Sequence, residues 1–378
     1  MLSSALTNID KSNWTEHRFD EIAFSISERV EPTNTDLEIY VGLEHLDPES
    51  IHIKRFGKRS DVKGTKLKVY PGDIIFGRRR AYQRKAAIAN FEGFCSAHAL
   101  VLRANPEVIE PRLFPFFLHS DAFMNRAVDI SVGSLSPTIN WGTLKKEKFL
   151  LPPRNQQAKI AELLWAADEM IEKYYSALNR IDILLLSYRK DVFDGKNITV
   201  VPLHTIVEII MGQSPPGSSY NTLGEGIPFL QGNAEFGDVY PVATKYTTEP
   251  KRIAPKASLL ISVRAPVGDI NVADKEYCIG RGLAAIVPNI NVSVNYLENY
   301  LLYSKNLLET NSTGSTFKAI NKDNLNNLNV KMPDSSKVFV IENNLDKISK
   351  SIRYFNNTIT KSNSLSKSII NQIFSEKY

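Results

Sequence analysis

Three short runs in this 378-residue chain hold residue types that could do chemistry. Gly57-Lys58-Arg59-Ser60 ends like a phosphate-cradling loop, but that loop needs a second glycine where His52 stands. Cys95-x-x-His98 is half of a zinc site with no second pair in reach. Ser214-Pro215-Pro216-Gly217 copies the centre of a tetrapeptide used to methylate amino groups, a reaction that wants Asn or Asp first and an aromatic last. Ser214 and Gly217 replace both ends, so a stiff loop is the better reading. No carboxylate cluster ending in Lys offers a nuclease metal site. The expectation is a chain with no catalytic residue, no metal and no ATP site, built to bind.

What it binds is suggested by charge. Between Ile51 and Lys85, twelve Lys and Arg stand against Asp61 and Asp73, a local excess twice the +5 of the whole chain. Such a field attracts polyanions, of which nucleic acid is the commonest. A solvated basic face is the competing reading. Length and 43% hydrophobic content indicate two or more packed domains. The start of the chain has no basic-then-apolar leader, and no uncharged run approaches the roughly 18 apolar residues of a membrane span. With only Cys95 and Cys278, a disulfide framework is ruled out; a reducing, cytoplasmic setting is expected.

The elements that must position these residues come as a repeat. A shift of 181 positions aligns residues 133–193 with 314–374 without a gap: Gly133-Ser134 on Gly314-Ser315, Ile139-Asn140 on Ile320-Asn321, Pro152 on Pro333, Phe193 on Phe374. Upstream, with shifts of a few residues, 71–76 matches 255–261, 94–102 matches 277–286 and 116–120 matches 300–304, which puts Cys95 and Cys278 at equivalent places. A period this long is a duplicated module, and it implies pseudo-two-fold symmetry.

Each copy ends in a long helical pattern. Ile160, Leu164, Ile171, Leu178 and Leu185 mark the first heptad seam, bounded by Pro152-Pro153 and Gly195. A helix from Arg154 to about Phe193 would run roughly 60 Å. Ile341, Leu345, Ile348, Ile352 and Phe355 mark the second seam, which falters at Ser362 and Ser366. Matching seams under pseudo-two-fold symmetry predict antiparallel pairing, with a globular domain at each end of a rigid spacer. The expected division is 1–151 and 196–332 for the domains, 152–195 and 333–378 for the helices.

Particular motifs carry a family likeness. MGQSPPGSSYN (211–221), IPFLQGNAEFGDVYP (227–241), TKYTTEP (244–250), LLISVRAPVGDIN (259–271), CIGRGLAAIVP (278–288) and TGSTFKAINKDNL (313–325) strongly resemble the target-recognition domains of type I restriction-modification specificity subunits. PGDIIFGRRRAYQRKAAIANFEGFCSAHALVLR (71–103), GSLSPTIN (133–140) and LPPRNQQAKIAELLWAADEMI (151–171) look like a second such domain with its spacer. The resemblance implies an α+β chain of two mixed α/β recognition domains, reading the two halves of an interrupted double-stranded DNA target. It also implies partners: two methyltransferase subunits that bind S-adenosylmethionine, and endonuclease/translocase subunits using ATP and magnesium, with no cofactor in this chain. A type IIB specificity subunit is the alternative, and a stand-alone DNA-acting enzyme a more distant one.

Affinity then falls to Lys and Arg on phosphates and specificity to side chains on base edges. Arg78, Arg79, Arg80, Arg84 and Lys85 follow the apolar strand Ile74-Ile75-Phe76 in the first domain. In the second, Arg264 follows Leu259-Leu260-Ile261, and Arg281 aligns with His98, where it either meets DNA or holds its glycine-flanked loop together. Gln213, Gln231 and Asn233 are candidate adenine readers, and Lys245 completes the set.

Overall fold

A computed structural model describes residues 10–195, 198–289, 292–310 and 319–375. Gly314 and Ser315, aligned above with Gly133 and Ser134, lie outside these residues. The first copy begins β1 (Thr15–Arg18), α1 (Phe19–Ile22), β2 (Ala23–Ile26), β3 (Arg29–Val30), β4 (Ile39–Val41), β5 (Gly57–Lys58) and β6 (Lys66–Val69). It continues β7 (Ile74–Phe76), β8 (Ala86–Ile88), β9 (Gly93–Cys95), β10 (Leu100–Ala104), α2 (Phe114–His119), α3 (Asp121–Asp129), α4 (Trp141–Leu144), β11 (Lys148–Leu151) and α5 (Arg154–Phe193). The second copy runs β12 (Thr199–Pro202), β13 (Val207–Met211), β14 (Tyr220–Asn221), β15 (Ile227–Leu230), β16 (Lys245–Thr247), β17 (Ile253–Ala254) and β18 (Leu259–Ser262). Then come β19 (Ile270–Val272), β20 (Tyr277–Ile279), β21 (Leu283–Pro288), α6 (Val294–Tyr303), α7 (Lys305–Thr310), α8 (Lys322–Asn326), β22 (Asn329–Met332) and α9 (Ser335–Phe374).

The duplication read from the sequence is repeated in the topology. Each copy has a four-stranded antiparallel sheet, β2-β10-β7-β8 in the first and β13-β21-β18-β19 in the second. Each also has a five-stranded sheet containing a parallel pair, β4 with β9 and β15 with β20. In both, the first strand pairs with the last before the long helix, β1 with β11 and β12 with β22. The backbone bridges Arg79 to Thr138 and Arg264 to Ala319 coincide under the repeat.

Register corrects one alignment. Val41 stands opposite Cys95, whereas Leu230 stands opposite Ile279, and equivalent backbone bonds hold both arrangements: Ser96 N–H to the Val41 carbonyl (3.0 Å) and Gly280 N–H to the Leu230 carbonyl (2.8 Å). Cys95 therefore corresponds to Ile279, one residue past Cys278. Strand side chains alternate between faces, so the two thiols point to opposite sides of their sheets. Cys95 packs with Val41, Ile75 and Val101, while Ile279 packs with Leu230, Leu260 and Ala285. Both cysteines are buried and unbridged.

The chain divides into two compact units, Met1–Tyr175 with Asn357–Tyr378, and Ser176–Asn356. In the first, α5 begins directly after Pro152-Pro153, where a missing N–H costs nothing. The buried Gln157 side chain fixes that end by donating to the Val108 (3.0 Å) and Pro152 (2.8 Å) carbonyls. The core gathers Phe19, Phe114, Phe117, Phe123 and Phe149, with Leu164 of α5 and Ile370, Ile373 and Phe374 of α9. Phe374 meets Phe117 edge-on at 5.4 Å. The second unit mirrors this: Phe193, the repeat mate of Phe374, sits 5.5 Å from Tyr296 and 5.2 Å from Tyr300. There Leu185 of α5 packs in one cluster with Ile341 and Leu345 of α9, and Ile348 and Ile352 border it. Within each unit the helices run antiparallel, tied by Asn363 to the Tyr175 hydroxyl (3.2 Å) in the first and by Asn344 to the Tyr188 hydroxyl (3.0 Å) in the second.

α9 stays helical through Ser362 and Ser366. In the first unit Ser366 lines a cavity of about 710 Å³ that is also bordered by His52, Lys54, Arg84, Asp168 and Glu172. At Ser366 the seam therefore borders a cavity of mixed lining, with Ile51, Phe116 and Ile171 beside the charged groups.

His52 joins the loop before β5 to α5 through Asp168 (2.7 Å), and this hydrogen bond, opposed by burial, raises the imidazole above its ordinary 6.5. A raised folded-state value gives stability that is complete below 6.5 and disappears as pH climbs through the raised value. His52→Gln should therefore lower the thermal midpoint of the first unit in mildly acidic buffer and lose that effect in alkaline buffer. A difference from wild type that is independent of pH would contradict the ion pair.

Candidate nucleic-acid interface

In the first copy β7 delivers the chain to Arg78, and residues 78–85 form a tight loop around a single turn at Ala81–Gln83. Arg80 and Arg84 both adopt the left-handed conformation, with φ of 54° and 52°. Each costs on the order of 1–3 kcal/mol, so the loop is held by its surroundings. The Gly77 N–H donates to the Lys85 carbonyl (2.8 Å) and the Arg80 N–H to the Pro137 carbonyl (2.7 Å).

This loop sorts the candidate cations into two groups. Arg84 pairs with Asp121 (2.8 Å) and Glu49 (3.2 Å) and donates to the His119 carbonyl (2.6 Å), and Lys85 donates to the Leu43 carbonyl (2.7 Å). Both hold the loop. Among the described residues the side chains of Arg78, Arg79 and Arg80 have no carboxylate partner, and the Arg78 Nε is buried without an acceptor. Partial desolvation, and after it the charges of Arg79, Arg78 and Lys66, pull the His98 imidazole below its ordinary value. Arg79 and Arg78 thus lie near enough to His98 for their charges to act on it.

The basic run is less positive in space than in sequence. Lys54 pairs with Glu172, Arg55 with Asp47, Arg59 with Glu38, and Lys68 with Glu28 and Glu92. These acids come from outside the run, so the cations left without a carboxylate partner among the described residues are Arg78, Arg79, Arg80, Lys58, Lys63, Lys66 and Lys85.

In the second copy the candidates meet at a junction of strand ends. Gln213 follows β13, Gln231 follows β15, Arg264 follows β18, and Arg281 lies between β20 and β21. The Gln213 N–H donates to the Ile279 carbonyl (2.9 Å), and the Val263 N–H to the Gly282 carbonyl (2.9 Å). Glycine permits this approach: a Cβ on Gly212 would stand 2.1 Å from the Gly280 oxygen, and one on Gly282 would stand 2.7 Å from the Gln231 oxygen. Gln213, Gln231, Arg264 and Arg281 are exposed, and among the described residues their side chains make no hydrogen bond or ion pair. Backbone bonds, including Leu283 N–H to the Gly280 carbonyl (3.0 Å), hold the Arg281 loop, leaving the guanidinium uninvolved. Asn233 differs, because its amide donates to Asp269 (2.8 Å), which also takes Lys305 (2.6 Å). Lys245 stands in β16, half-buried and opposite Phe229.

Superposing the copies by their backbone bonds makes the correspondence of the two turns residue-specific and corrects the place of Arg281. Arg79 and Arg264 occupy the same position, each bridged to the same residue of the following loop. Arg281 matches Ala97, one place before His98, because the Ala99 N–H to Ser96 bond corresponds to the Leu283 N–H to Gly280 bond. The register shift that separates the cysteines explains this displacement.

The comparisons with known proteins agree with this architecture. The family model described as the type I restriction modification DNA specificity domain matches residues 14–180 and again 195–373. The chain is 35% identical over 320 residues to the type I restriction enzyme MjaX specificity subunit of Methanocaldococcus jannaschii, covering 77% of this chain and 75% of that one. A solved chain from work on complex assembly and conformational transition of the type I R-M system matches with TM-score 0.63 and 28% identity, over 98% of this chain and 100% of the other. The type I restriction-modification S subunit from M. genitalium shares the fold, with TM-score 0.65 at 15% identity over 98% and 99% of the two chains. The chain belongs to the family of type I restriction-modification DNA specificity subunits. It is a DNA-sequence recognition subunit, not a catalytic one, and it works with DNA and partner subunits. No helix of the described residues is long and apolar enough to cross a membrane.

The cluster around His98 gives a direct test. Arg79→Ala should raise the His98 titration midpoint measured by NMR, since removing a neighbouring cation favours the imidazolium. An unmoved midpoint would separate Arg79 from this cluster.

Proposed function

We propose that each copy reads one half of an interrupted duplex target, with Arg78, Arg79 and Arg80 in the first and Gln213, Gln231, Arg264 and Arg281 in the second. One observation carries this reading: Arg79 and Arg264 take the same backbone position in both copies, exposed, at the end of equivalent buried strands. Arginine can bond guanine through two hydrogen bonds, and Gln can do the same for adenine. Arg84, Lys85 and Asn233 act behind this surface by fixing its loops, and Lys245 contributes charge. On this reading, segments 1–151 and 196–332 are the readers, and the seams of 152–195 and 333–378 set the gap between half-targets.

The family membership supports an assembly with two methyltransferase subunits, which supply S-adenosylmethionine and methylate adenine, and with endonuclease/translocase subunits that use ATP and magnesium. The cytoplasm, where the chromosome and these cofactors lie, is the compartment this assignment requires.

The two arginines make the reading testable by mapping methylated adenines on a library of targets with the assembled methyltransferase. Arg79→Ala should relax or weaken recognition in one half only, by about 1–3 kcal/mol, and Arg264→Ala in the other half only. Two variants that alter the same half, or leave both halves intact, would refute the assignment.

A further inference from the structure

Beside Arg78–Arg80 the first copy carries a short loop that the recognition reading does not use. Val132 and Thr138 exchange both of their backbone hydrogen bonds (3.0 Å each), which closes residues 133–137 into a narrow tip, with Gly133 at φ +119°. Thr138 bridges to Arg79, the Pro137 carbonyl accepts from Arg80, and Ile139 N–H donates to the Arg78 carbonyl (3.0 Å) while its side chain is buried in the core. The base of the tip is therefore fixed on three consecutive arginines. At its apex, between Ser134 and Ser136, Leu135 is 92% exposed, and Val132 at its base is 72% exposed.

A single exposed leucine is ordinary on a protein surface. This one is held by backbone bonds next to three guanidiniums that lack a carboxylate partner among the described residues. The combination suits a ligand that presents an anionic rim around an apolar interior, and duplex DNA, with phosphates flanking stacked bases, is that ligand. We infer that Leu135 is a wedge, inserted at a base step beside the phosphates that Arg79 and Arg80 neutralise, with Val132 behind it. Leucine is among the side chains that can enter between base steps and partly unstack them. The inference rests on the reading of the first copy as a DNA reader and adds that it deforms its half-target locally.

The experiment uses the full chain assembled with its methyltransferase partner and duplexes carrying 2-aminopurine at successive positions of the half-target read by the first copy. Wild type should raise the fluorescence at one step. Leu135→Ala should abolish that rise and weaken binding about tenfold, as expected when a buried leucine is cut back to a methyl. The slope of log affinity against log salt should not change, because no charge is lost. Leu135→Phe should keep the fluorescence. Arg79→Ala should flatten the salt slope; if it leaves both slope and affinity at wild-type values, the recognition reading itself falls. If Arg79→Ala acts and Leu135→Ala leaves fluorescence and affinity intact, the wedge alone is overturned. Weakened capture of the methyltransferase subunit by Leu135→Ala without DNA would likewise overturn it, by making the tip a protein contact.

Discussion

The closure of each core by the last aromatic of a long helix is the contact on which the rest of the structure depends. Phe374 seals the first unit against Phe117, and Phe193 seals the second among Tyr296, Tyr300 and Tyr303. Both are fully or almost fully buried, and truncating such a ring costs about 3–5 kcal/mol. α5 begins in the unit that Phe374 completes and ends in the one that Phe193 completes, and α9 runs the reverse course. The first core is finished by a segment far along the chain, 357–378, whereas the second is built from the single stretch Ser176–Asn356.

That arrangement accounts for the pattern of the helices. The residues that face a core or the other helix are apolar at heptad spacing. At Ser362 and Ser366 the seam turns polar without breaking the helix, since the backbone ladder does not require apolar side chains, and Ser366 borders a cavity. In the second copy the same economy of backbone appears at Gly212 and Gly282, where strand ends approach too closely for a Cβ. These contacts put Gln213, Gln231 and Arg281 on adjacent backbone without using their side chains.

Much of this was legible in the sequence, for physical reasons. Heptad spacing and the Pro152-Pro153 stop define α5 because periodicity and a missing N–H act locally. The repeat was visible wherever its copies align without a gap, as at Phe193 and Phe374. Where the copies differ by small insertions, the alignment slipped by one residue at Cys95 and Cys278, and in a strand one residue is the difference between two faces. Local charge also misled. Glu49 and Asp121 neutralise Arg84, and Glu172 neutralises Lys54, from positions that only the fold brings near. Which arginines lack a carboxylate partner among the described residues is a tertiary property, whereas the correspondence of the turns carrying Arg79 and Arg264 was already readable from the matched strands before them.

Hydrogen exchange of a Phe374→Ala chain tests the core-closure claim most directly. Protection should fall in β2, β7 and β10 of the first unit while β13, β18 and β21 of the second keep theirs, and Phe193→Ala should give the converse. Equal loss in both units, or loss confined to the helices, would contradict it.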